Sequence, residues 1–279
     1  MSYSAEISRA NPSCFLFLID QSGSMADNFG TGNLYLKKAD GVADAVNKLL
    51  QTLSIRSAKP EGIRDYFHVG VIGYGNRVGP AFGGALVDKE LIPISEVANS
   101  PKMVEERTKK TDDGAGGVLE QKIKFPIWFE PIANGGTPMC KAFTLANTIL
   151  QNWITQHQSS YPPIVFNITD GEPTDGDPRS IAESLKKLST DDGETLLLNS
   201  HISSNNAPEI LFPDSEDGLP DQHARLLFEM SSIMPDPMRK IAQQSGYKVS
   251  DKSRGFVFNA QIITVIEWLD IGTRASNLR

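Results

Sequence analysis

Asp20, Ser22 and Ser24 end the stretch FLFLIDQSGSM, where an apolar run meets three oxygen-bearing side chains at alternate positions that can converge on one point. Asp170, in ITDGEPTD, closes a second apolar run in the same manner. Thr137, in NGGTPM, is a third candidate: Gly135-Gly136 permits close backbone approach, and Pro138 suits the first turn of a following helix. Two carboxylates and three hydroxyls are all hard oxygen donors. That set matches Mg²⁺ or Mn²⁺ far better than Zn²⁺, which takes His or Cys. Two carboxylates just cancel a divalent charge, so such an ion would still attract one more anionic ligand from outside. Each residue also has a plainer role open to it. Serines cap helices and stabilise turns, Thr137 can cap its own helix, and Asp170 can be a turn aspartate. The three motifs in order outweigh those roles. These groups pointing apart, or a lysine plugging the pocket, would leave a metal there without a foundation.

The elements that must position these groups alternate between strand and helix, which points to an α/β fold with a mostly parallel central sheet, helices on both faces and an antiparallel edge strand. Phe15 to Asp20 is apolar throughout, as expected of a central strand covered on both sides. From Ala39, residues Val42, Val46, Leu49, Leu50 and Leu53 follow helical spacing. YFHVGVIGY from Tyr66 is the next strand. A helix over Pro138 to Trp153 gathers Ala142, Leu145, Ala146, Ile149, Leu150 and Trp153 on one face, and PIVFNITD from Pro163 is another buried strand. Helices follow near Arg179 to Leu188, Gln222 to Ser232, Pro237 to Ser245 and Gln261 to Ile271, with strands near Thr195 to His201 and at GFVFNA. Asn167 is polar inside an apolar strand and needs a hydrogen-bond partner.

One sheet accounts for nearly the whole of residues 1–279, read as a single domain. The exception is an elaborated insertion at about 76–134, too long for a plain connection. Its start, GYGNRVG, is a turn in preference to a dinucleotide loop. Ile123, Phe125, Ile127 and Phe129 alternate as an edge strand does, and TDDGAGG reads as a mobile tip. The segment at about 202–220 is an enlarged loop whose acidic residues Asp214, Glu216 and Asp217 read as solvated.

A net charge of −7 and cationic clusters no longer than pairs such as Lys109-Lys110 argue against nucleic acid as a partner. Nothing resembles a signal peptide or a membrane span, so the expected location is cytoplasmic, with no membrane partner. Two cysteines, Cys14 and Cys140, cannot build a disulfide scaffold or a zinc site. The four histidines show no ligand spacing.

D-x-S-x-S, a distant Thr, and then T-D-G resemble the metal-ion-dependent adhesion site of von Willebrand factor A and integrin I domains. The resemblance implies a Rossmann-like fold with Asp20, Ser22, Ser24, Thr137 and Asp170 as metal ligands for Mg²⁺ (or Mn²⁺). It also implies a non-enzymatic module that captures an Asp or Glu of a protein partner through the metal. TDGEPTD further resembles bacterial intracellular members, including those associated with tellurite-resistance and stress operons, where the partner would be a kinase, phosphatase or ATPase encoded nearby. The insertion and the 202–220 segment depart from the family pattern and leave the partner open. The competing class is a Mg²⁺-dependent hydrolase of the phosphatase type. Against it, the strand end reads D-x-S where a haloacid-dehalogenase-type enzyme would carry D-x-D, and neither G-x-S-x-G nor a Walker loop is present.

Overall fold

A run such as SCFLFLID can be apolar at almost every position only if both faces of the strand are covered. In the computed structural model, which describes residues 3–28, 36–112, 118–202 and 207–274, every residue of β1 (Ser13–Asp20) is buried. Its alternate positions serve two cores, as the two-residue period of a strand requires. Phe15, Phe17 and Ile19 pack with α1 (Lys38–Arg56), while Cys14, Leu16 and Leu18 face the other way.

The chain continues through β2 (Phe67–Tyr74), β3 (Val78–Pro80), β4 (Ile92–Pro93), α2 (Ile94–Asn99), β5 (Met103–Asp112), β6 (Val118–Ile127) and α3 (Met139–Gln156). Then come β7 (Ile164–Thr169), α4 (Arg179–Lys186), β8 (Leu196–His201), β9 (Ile210–Leu211), α5 (Gln222–Met230), α6 (Asp236–Gln244), β10 (Phe256–Phe258) and α7 (Ile262–Thr273). Eight strands form one sheet in the order β9-β10-β8-β7-β1-β2-β3, with β4 also paired to β2. The five inner strands are parallel, and antiparallel strands occupy both rims. Helices α1, α6 and α7 cover one face and α3, α4 and α5 the other. The fold is therefore the Rossmann-like α/β arrangement that the alternation predicts. Among the described residues no helix is long and apolar enough to cross a membrane.

The chain leaves β1 for β2 on one side and later fills β7 on the other. Outside the carboxyl ends of β1 and β7 lies the kind of switch point where open parallel sheets bind ligands. Register fixes what meets there: Ile19 pairs with Ile168, so Asp20 emerges beside Thr169 and Asp170 follows one residue later. Asn167 finds its partners within the sheet. Tyr74 Oη donates to Asn167 Oδ1 (2.6 Å), and Asn167 Nδ2 donates to Asn199 Oδ1 (2.9 Å).

The insertion differs from expectation in one respect. Ile123, Phe125 and Ile127 belong to β6, but β6 pairs with β5 in a separate two-stranded ribbon, and Phe129 bridges to Phe82. The main sheet's edge on that side is already taken by β3 and β4. The ribbon is held at its base by Asn47, a buried polar residue of α1. Asn47 Oδ1 accepts from Trp128 N (2.9 Å) and Phe129 N (3.1 Å), and its Nδ2 donates to Phe129 O (2.7 Å). Phe82, Trp128 and Phe129 join the core beneath α1. Residues 113–117 of the tip and 203–206 of the enlarged loop lie outside the described residues.

Candidate functional site

Asp20 is the last residue of β1 and only 1% exposed. Its Oδ1 accepts from Ser22 N (2.8 Å) and its Oδ2 from Thr169 Oγ1 (2.6 Å). Ser24 Oγ donates to Asp170 Oδ1 (2.7 Å), which leaves it to accept from Ser22 Oγ at 3.0 Å. Thr137 closes the group. A methyl placed on Gly171 would stand 3.3 Å from Thr137 Oγ1, 3.8 Å from Ser24 Oγ and 4.0 Å from Asp20 Oδ2. All five residues singled out in the sequence are thus brought together, from three distant parts of the chain.

The capping roles do not hold. Ser22 precedes a short 3-10 turn, Gly23–Ala26, without a side-chain cap bond, and the residue before α3 is Pro138, not Thr137. The free amides of α3 are capped from elsewhere: Asp175 accepts from Cys140 N (3.0 Å) and Lys141 N (2.9 Å). Beside it, Thr174 Oγ1 accepts from Thr137 N (3.0 Å) and Thr174 N donates to Thr137 O (2.9 Å). The loop after β7 therefore grips the loop that carries Thr137.

Backbone bonds complete the frame. Gly23 N donates to Gly135 O (3.0 Å), Asn134 N to Gln21 O (2.7 Å) and Asn76 N to Asn134 O (2.9 Å). Gly135 has a φ of +92°, and a side chain there would strike the Asn76 backbone at 2.4 Å. A glycine is required on both counts.

Sequence reasoning missed Lys38. It lies in the first turn of α1, and its Nζ donates to Asp170 Oδ2 at 2.6 Å, with both side chains buried, and stands 3.9 Å from Asp27 Oδ2. Its reach depends on where the start of α1 lies relative to the end of β7, which no local pattern reveals. The ammonium takes the Asp170 oxygen opposite the one bonded to Ser24. Asp20, by contrast, pairs with no cation among the described residues. Burial pushes its carboxyl up to about 6, Asp170 adds to the rise, and hydrogen bonds from Thr169 and Ser22 oppose it.

The donors fit a hard divalent cation: two carboxylates, three hydroxyls, and one buried carboxylate lacking a counter-ion. No group of three or more His, Cys, Asp and Glu suited to a metal occurs among the described residues, so hydroxyls would have to supply much of the coordination. With Lys38 the cluster carries a net charge of about −1, whereas the five residues alone suggest −2.

Neighbouring acidic residues have partners of their own. Asp177 pairs with Arg179 (2.7 Å), and Glu172 lies 3.6 Å from His223 Nε2. Asp214, Glu216 and Asp217 are exposed, with Asp214 accepting from Ser250 Oγ. Two histidines do meet: His68 Nδ1 accepts from Trp153 Nε1 (2.9 Å), and His157 stacks on the same indole.

No protein-family model and no curated protein matches the sequence. Solved structures do. The ArnB paralog VWA2 from Sulfolobus acidocaldarius is similar at 16% identity and a TM-score of 0.36, over 72% of this chain and 37% of that one. The vWF domain of the type V pili tip protein Mfa5 from Porphyromonas gingivalis is similar at 11% identity and a TM-score of 0.32, over 58% of this chain and 39% of that one. A structure of three N-terminal domains of Mfa5 gives the same identity and TM-score over 20% of its length. The chain thus spans between about a fifth and two-fifths of the structures it matches. At such TM-scores the likeness is slight, and what this chain does has to be read from its own site.

Proposed function

We propose that this chain is a von Willebrand factor A-type interaction module that holds Mg²⁺ (or Mn²⁺) on Asp20, Ser22, Ser24, Thr137 and Asp170 and captures an acidic side chain of a protein partner. The observation that carries this is the buried Asp20 carboxylate, with no counter-ion among the described residues, amid converging hydroxyl oxygens. When bound, the ion supplies a Lewis-acidic centre that attracts a carboxylate. The chain's own residues do the rest. Asp20 and Asp170 would cancel the ion's charge, the three hydroxyls would bind it without adding charge, Thr174 holds Thr137 in place, and Asp175 secures the start of α3 just after it. The loops at about 76–134 and 202–220 set which partner fits. An intracellular scaffold acting beside a kinase, phosphatase or ATPase is the role we favour, and catalysis is not part of it.

A second possibility draws on the Lys38–Asp170 contact: the ammonium is the cluster's cation, and no metal binds. Calorimetric titration of the EDTA-treated chain with MgCl₂ and MnCl₂ separates the two. The metal-dependent module predicts saturable binding, lost in Asp20→Ala, and partner capture that chelation reverses without unfolding. Absence of binding up to millimolar metal overturns it. Phosphoester turnover abolished by Ser22→Ala would favour the hydrolase instead.

A further inference from the structure

We propose that Lys38 is a resident counter-cation that weakens the site's hold on the divalent ion and, once the ion is bound, makes the site more selective for an anionic partner. This rests on the metal-dependent function above. The contact is no incidental surface pair. Lys38 and Asp170 side chains are 4% and 0% exposed, and a buried pair of that kind is held only because each partner satisfies the other. A lysine in the first turn of a helix also opposes the positive end of the helix dipole, so its place at α1 needs the compensation that Asp170 and, at 3.9 Å, Asp27 provide.

The division of Asp170 makes both roles compatible. Oδ1 faces Ser24 and the converging oxygens, while Oδ2 faces the ammonium. Lys38 therefore orders Asp170 before any metal arrives and does not occupy the oxygen turned toward Ser24. Charge then decides the affinities. Asp20 and Asp170 with Lys38 sum to −1, and adding a divalent ion gives +1, where a cluster lacking Lys38 would reach only zero. The Lys38 ammonium repels the metal, and the residual positive charge of the loaded site attracts a carboxylate. Like charges a few ångströms apart at a partly buried site interact strongly enough to change affinity by roughly tenfold or more.

The test compares wild type with Lys38→Met, Lys38→Gln and Lys38→Arg by Mg²⁺ calorimetry and by thermal unfolding in EDTA. Lys38→Met and Lys38→Gln should bind Mg²⁺ about tenfold more tightly or better, with Tm lowered in EDTA and restored by Mg²⁺. Lys38→Arg, which keeps the charge, should stay near wild type. Lys38→Gln keeps a hydrogen-bond donor for Asp170, so it remains informative if Lys38→Met fails to fold. Wild-type binding that the neutral variants leave unchanged or weaken overturns the role of Lys38 and leaves the metal site standing. Binding gained only in the neutral variants supports it, and binding by none of the four overturns both.

Discussion

Replacing Asp20 by Asn should stabilise the metal-free protein, although it removes the central residue of the site. Asp20 is buried, and its carboxyl is pushed up to about 6 from 3.8. Because the folded value lies above the unfolded one, the folded chain keeps its proton between about pH 4 and 6 while the unfolded chain gives it up. The favourable contribution is whole below about pH 4, is lost as pH rises through about 6, and stays lost above. Two pKa units correspond to about 3 kcal/mol. Asn escapes that penalty but replaces one acceptor oxygen by a donor, opposite either Thr169 Oγ1 or Ser22 N. Rearranging one such bond costs about 1 kcal/mol. The net gain for Asp20→Asn in EDTA at pH 7.5 is therefore about 1–2 kcal/mol, a rise in Tm of roughly 2–3 °C. It should vanish at pH 4. Urea denaturation at both pH values, in EDTA, measures it. Magnesium should then invert the order, since only the wild type gains from binding. A variant less stable than wild type in EDTA at pH 7.5 would refute this account of a carboxylate buried at a cost.

Asp175→Ala removes the acceptor for two amides at the start of α3 and should cost about 1–2 kcal/mol by urea denaturation; it should also weaken Mg²⁺ binding, because Thr137 sits just before those amides. His68 is held below the ordinary histidine range, first by burial and then by His157, with Asp65 opposing, and its Nδ1 must be unprotonated to accept from Trp153 Nε1. Its contribution to stability is present above about pH 6.5 and lost as pH falls. An NMR titration should find His68 taking up its proton at a lower pH than a free histidine does.

The framework was legible because it is periodic. A strand buried on both faces must be apolar throughout, so FLFLID and PIVFNITD declared themselves, and the stripe on α3 did the same at helical spacing. The five converging oxygen-bearing residues were legible because each stands at a strand end or a glycine-marked loop. Lys38 and Asn47 were not, since their types are ordinary on a surface and only the folded chain shows that they are buried. The pairing of β6 with β5 was not legible, because the alternation at Ile123 to Phe129 reports an edge strand without naming its neighbour.

The bond between Asn76 and Asn134 makes residues 77–133 a loop sewn shut at its neck. What lies beyond the neck can lengthen, shorten or be exchanged at its far end without altering the separation of the two strands of chain that enter it, and extra length in a closed loop costs little. Chemistry at the oxygens and diversity at the ribbon are thereby uncoupled. The outer part of this excursion is free to vary while the end that carries the converging oxygens stays as it is.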